Sequence, residues 1–249
     1  MIWRFALASF LTVALSWFCL SERTYAQFNG CPAGFCSPST PGGSCSAVLA
    51  LDGSATANYT GGTNTYTITL STSDANDVII VGAFANNTPN AITGVSSSNV
   101  VWDGAARGTA LTASGNTLTQ WRGVASSALT SEVITLTFAS TTTFSTAAAF
   151  GINGANTSSS FDSNGALPAT TTTTTPPSVS TSNLNDFIYS FAVENNNAGS
   201  AGSGFTGIQF SNFIGTQYKI VSTTQSGLSM AITGDTYQIG VGDAVKRSC

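Results

Sequence analysis

Seven residues, Ser71-Thr72-Ser73-Asp74-Ala75-Asn76-Asp77, return 109 positions later as Ser180-Thr181-Ser182-Asn183-Leu184-Asn185-Asp186. Each copy runs directly into an apolar segment, VIIVGAF from Val78 and FIYSFAV from Phe187. A short apolar run bounded by turn residues and rich in β-branched and aromatic side chains reads as a buried strand. Both runs end in paired amides, Asn86-Asn87 and Asn195-Asn196. With a four-residue insertion, Ile92–Val95 and Ser98–Val100 align with Phe205–Ile208 and Ser211–Phe213. SEVITLTF, beginning at Ser131, aligns more weakly with GLSMAITG, beginning at Gly227. The repeat predicts a duplicated β unit. A second copy of about 70 residues is small for an independent core, so the expectation is two halves of one sandwich sharing a core.

The rest of the chain reads the same way. Thr65–Leu70 alternates polar and apolar with period two, as a half-buried strand does. Further strands are expected at Val95–Trp102, Leu118–Val124, Val133–Phe138, Ala147–Ile152, Phe205–Phe213, Tyr218–Val221, Leu228–Ile232 and Tyr237–Val241. No window carries a helical apolar stripe. The expected fold is all-β, a single jelly-roll-like β-sandwich over residues 50–249, with halves at about 63–155 and 178–245. Between them, Thr170–Thr175 followed by Pro176-Pro177 reads either as a linker or as an edge strand. Thr favours strands, and Pro blocks further pairing at an edge.

The N-terminus has the layout of a secretory signal peptide over residues 1–26, with Arg4 before an apolar stretch and Thr24-Tyr25-Ala26 before the cleavage point. No stable membrane span is expected after its removal, and the expected location is secreted, extracellular or periplasmic. Residues 27–49 form a Cys-, Pro- and Gly-rich extension. Four cysteines remain, Cys31, Cys36, Cys45 and Cys249, an even number that in an exported chain predicts disulfides. Three pairings are open; Cys31–Cys36 with Cys45–Cys249 is the first choice.

Only 7% of residues are charged and none is His. The absence of His excludes Ser–His–Asp and Cys–His catalysis and histidine-ligated metals. Without Glu22, Arg4 and Arg23 of the leader, ten acids and five scattered bases remain. That is no footprint for nucleic acid. The two remaining glutamates, Glu132 and Glu194, stand in unrelated contexts, so a two-carboxylate glycoside hydrolase or lyase is a third reading only. No cofactor is expected. Calcium is the one metal the residues could serve, through Asp74, Asp77, Asp235 and Asp243, although Asp at these positions equally caps turns. In the repeat Asp74 becomes Asn183 while Asp77 persists as Asp186, which favours a turn. Trp102 and Trp121 could form a platform for a neutral surface glycan or pack in the core.

NDVIIVGAF, TQWRGVASSALTSEVITLTF, a strand ending in Gly151-Ile152-Asn153-Gly154, and the opening AQFNGCPAGFCSP together resemble uncharacterised exported proteins and phage-type structural proteins of bacteria, alphaproteobacteria among them. The resemblance implies a β-sandwich used for structure or attachment, at a cell surface or on a virion, and carries no catalytic residue. The expectation is a non-catalytic structural or adhesive module whose partners are a surface glycan or further copies of itself. A carbohydrate-binding module is the alternative.

Overall fold

The computed structural model describes residues 47–87 and 89–249, and every regular element among them is a β-strand. Cys31, Cys36 and Cys45, and with them the signal peptide and the expected disulfide pairing to Cys249, lie outside the described residues. The first half contains β1 (Ala50–Tyr59), β2 (Thr63–Leu70), β3 (Asp77–Ala85), β4 (Ile92–Ser96), β5 (Val100–Trp102), β6 (Leu111–Ala113), β7 (Asn116–Ala125), β8 (Glu132–Thr142) and β9 (Ser145–Asn153). The second contains β10 (Ala169–Thr171), β11 (Ser178–Val179), β12 (Asp186–Glu194), β13 (Thr206–Ser211), β14 (Ile214–Val221), β15 (Leu228–Ser229) and β16 (Tyr237–Lys246).

All pairing is antiparallel. One large sheet has the order β1-β9-β3-β7-β5, with β6 also on β7; the other has β10-β16-β12-β14-β13. Their registers agree residue by residue. Asp77 pairs with Ala125 as Asp186 pairs with Val221, and Val78 pairs with Ile152 as Phe187 pairs with Val245. A smaller sheet accompanies each: β2-β8-β4 in the first half and β11-β15 in the second. Thr69 opposite Val133 and Leu70 opposite Glu132 are reproduced by Ser178 opposite Ser229 and Val179 opposite Leu228. The weak SEVITLTF–GLSMAITG match therefore marks equivalent strands.

Strand period two divides the interior. Val78, Ile80 and Phe84 of β3 face one way and meet Phe187, Tyr189, Phe191 and Val193 of β12 in the core between the two large sheets. Ile79, Val81 and Ala83 face the other way, onto Tyr66, Ile68, Ile134 and Phe138 of the small sheet. Ile188 likewise turns outward to Val179 and Met230. Both β3 and β12 are buried along their whole length, which is why they read as continuous apolar runs rather than alternating ones. Phe150 is the hub of the central core, 5.5–6.1 Å from the rings of Phe187, Tyr189 and Phe191. Each such ring contributes about 1.5–3 kcal/mol on burial.

One strand is added to those expected, and three expectations change. β1 has no apolar alternation to announce it, because it is an edge strand of small residues with a bulge at Gly53. Val95–Trp102 is not one strand: β4 pairs with β8 in the small sheet and β5 with β7 in the large one. Its expected counterpart around Phe205 lies in β13, which pairs with β14 in the large sheet, so the alignment of those segments does not hold. The Thr run is split, with Thr170 and Thr171 in edge strand β10 beside β16 and residues 172–175 outside any strand.

Candidate functional site

Asp52 and Asp77 meet where β1 passes the loop before β3. The bulge in β1 places Gly53 at φ +75°, where an added Cβ would lie 2.0 Å from the Ser71 carbonyl oxygen. Only glycine fits so close an approach. It brings the Asp52 carboxylate to accept the backbone N–H groups of Ser73, at 2.8 and 3.0 Å, and Asp74, at 2.7 Å. Asp77 is fully buried, with the Asp52 carboxyl and the Thr72 hydroxyl as its hydrogen-bonding neighbours.

The second half repeats the arrangement. Asp162 accepts from the backbone N–H of Ser182, at 3.0 and 2.9 Å, of Asn183, at 2.7 Å, and of Asn164, at 2.7 Å. Asp186 is fully buried, with the Asp162 carboxyl and the Thr181 hydroxyl in the same two places. The Asp74/Asn183 exchange now has a physical account. What persists is the backbone N–H donated to Asp52 or Asp162, and Asn183 adds its own side-chain N–H to Asp162 at 2.7 Å. Thr72 and Thr181 complete the copied turn. Each donates its backbone N–H to the carbonyl of Leu129 or Gln225, at 2.9 Å, and accepts that residue's N–H on its hydroxyl, at 3.0 Å.

The two members of each pair titrate in opposite directions. Burial, then the hydrogen bond and charge of Asp52, push Asp77 up to about 7; burial, then the charge of Asp162, push Asp186 up to about 7. Burial also acts to raise Asp52 and Asp162, but the backbone N–H groups outweigh it and hold both below the usual carboxylate range. In each pair the inner carboxyl is therefore the one that keeps its proton to higher pH. Two close carboxyls that titrate apart are also the arrangement of an acid–base dyad. Here the carboxyls are enclosed, and none of the four described cavities is lined by them. They close a turn.

The other sequence candidates are dispersed. Asp74 is exposed and acts through its backbone. Asp235 accepts the N–H groups of Asn196, Ala198 and Thr236. Asp243 is fully buried in an ion pair with Arg107 at 2.9 Å, and the Arg107 guanidinium also lies 3.9 Å over the Phe161 ring. Asp74, Asp77, Asp235 and Asp243 thus occupy three separate places, and among the described residues no three His, Cys, Asp or Glu side chains group to hold a metal. Glu132 accepts both N–H groups of Asn99 at the Asp77 end of the molecule, while Glu194 lines a cavity with Phe84 at the far end of β3. They cannot act on one bond.

Trp121 is 5% exposed and packed between the first large sheet and its small sheet, the core alternative of the two that the sequence left open, and it offers no glycan platform. Trp102 is half-buried, with its indole N–H donated to Ser97 Oγ at 2.9 Å and its ring over Gly123. Asp52 and Asp162, which organise both turns, were not foreseen. The signal was present, since they stand 110 positions apart, one step off the repeat offset. Among the described residues no helix is long and apolar enough to cross a membrane. No protein-family model, curated protein or solved structure matches the chain.

Proposed function

We propose that the chain is an exported, non-catalytic module with a structural or adhesive role at a cell or virion surface, built as a jelly-roll-like β-sandwich from two related halves. One observation carries the reading: the two paired carboxyls, the groups best suited to acid–base chemistry, are buried at equivalent turns of both halves, where they hold backbone. Each pair lies within its own half and accepts the backbone N–H groups of its own turn, which is what a repeated turn needs. The path of the chain supports the jelly-roll description. β1, β2, β3 and β4 alternate between large and small sheet, and β7, β8 and β9 alternate on the way back.

Beads coated with the purified chain test this reading. Retention on bacterial surfaces or purified envelope polysaccharide, with no turnover of glycoside, ester or peptide substrates, is the expected result. Catalytic turnover by the purified chain would sink it. A carbohydrate-binding role is the second reading, favoured by the aromatic cavity at the end of the molecule away from the acid pairs.

A further inference from the structure

The turn between β13 and β14 has two residues, Asn212 and Phe213, both left-handed, at φ 53° and 65°. Its counterpart in the first half joins β6 to β7 through Ser114 and Gly115, at φ 52° and 82°. A two-residue hairpin turn with both central residues left-handed favours glycine at its second position. The first half follows that preference. The second instead places a phenylalanine there, in a conformation that a bulky residue adopts only against a conformational cost. Phe213 is 39% exposed, so core burial does not account for it.

What Phe213 does is wall a cavity. It stands edge-on to Phe144, ring centroids 6.3 Å apart, and Phe144 in turn lies 5.7 Å from Phe84. These three rings line a recess of about 200 Å³ between the two halves, together with Asn116, Gln238 and Glu194. Asn116 Nδ2 donates to Gln238 Oε1 at 2.8 Å, linking one half to the other. Glu194 is 1% exposed; its Oε2 accepts from Gly199 N–H at 2.9 Å, and its Oε1 has no partner. Phe144 is itself fixed by its N–H, donated to Asn86 Oδ1 at 3.0 Å.

We propose that this recess is a binding site for one ring of a neutral saccharide. The volume suits a single sugar ring rather than a larger ligand. Aromatic faces match the C–H face of a sugar, amides and a carboxyl acceptor match its hydroxyls, and no Lys or Arg lines the recess to attract an anion. The assignment deepens the adhesive reading and moves the glycan site from the tryptophans to Phe144 and Phe213.

Phe213→Gly tests it, because the variant turn becomes Asn-Gly, the most favourable sequence for its geometry. Binding of the methyl glycosides of glucose, galactose, mannose and N-acetylglucosamine, and of methyl glucuronide, is measured on the full chain by saturation-transfer NMR and calorimetry. The expected result is binding of at least one neutral glycoside, weakened about tenfold or more in Phe213→Gly, whose melting temperature is unchanged or raised. Equal binding by the variant, tighter binding of the glucuronide, or no neutral glycoside bound by the parent chain overturns the site and leaves the structural reading standing. Hydrolysis of a bound glycoside would instead overturn the non-catalytic reading.

Discussion

The Asp77 carboxyl, with no exposed surface, has the Asp52 carboxylate as its hydrogen-bonding neighbour, and Asp52 is in turn held by the N–H groups of the loop that leads to Asp77. Asp186 and Asp162 stand in the same relation.

Stability follows pH from this relation. Asp77 and Asp186, raised to about 7, bind a proton more tightly folded than unfolded. Their contribution is complete below the unfolded value, about 3.9, and is lost as pH rises towards 7, at about 1.4 kcal/mol per pH unit for each group. Asp52 and Asp162, shifted down, contribute above the unfolded value and lose that contribution as pH falls through their folded values. The urea midpoint should therefore be higher at pH 5 than at pH 8. A midpoint that rises between those two values would contradict the upward shift of Asp77 and Asp186.

Substitutions within a pair should act with opposite sign. Asp77→Asn supplies an N–H to Asp52 at every pH, so at pH 8 it should be neutral or stabilising and should flatten the pH dependence. Asp52→Asn removes the charge that accepts from Ser73 and Asp74 and should cost about 1–3 kcal/mol. Equilibrium unfolding of both variants at pH 5 and 8 reads the difference.

Gly82 faces the central core, and a Cβ there would lie 2.7 Å from the Phe191 ring. Gly82→Ala should destabilise by about 1–3 kcal/mol through overpacking. Combining it with Phe191→Leu should recover part of the loss, a coupling that a double-mutant cycle measures.

Arg107 stands between β5 and β6, yet its partner Asp243 lies on β16 of the other half. Arg107→Ala leaves a fully buried carboxylate unpaired and should cost about 3 kcal/mol, the low end for a broken buried pair because Arg107 is itself partly exposed. In an Asp243→Asn background the same substitution should cost clearly less. Equal costs in the two backgrounds would show that the ion pair contributes nothing.

By itself the sequence determined the strands with a local signature. The buried runs of β3 and β12, the alternation of β2 and the recurrence of Ser71–Asp77 at Ser180–Asp186 all depend on residues close together in the chain, where period and turn chemistry act. Tertiary structure decided whatever depends on a partner elsewhere. Edge strand β1 has no apolar pattern and exists through its pairing with β9. Trp121 lies on a strand covered on both faces, so alternation could not say which side met solvent. Asp77 is a turn residue by sequence, but its raised titration comes from burial and then from Asp52, 25 positions upstream and delivered by a glycine bulge. The aromatic recess draws its walls from strands and turns of both halves. A chain records its local preferences residue by residue, whereas burial and charge proximity exist only once distant segments have been brought together.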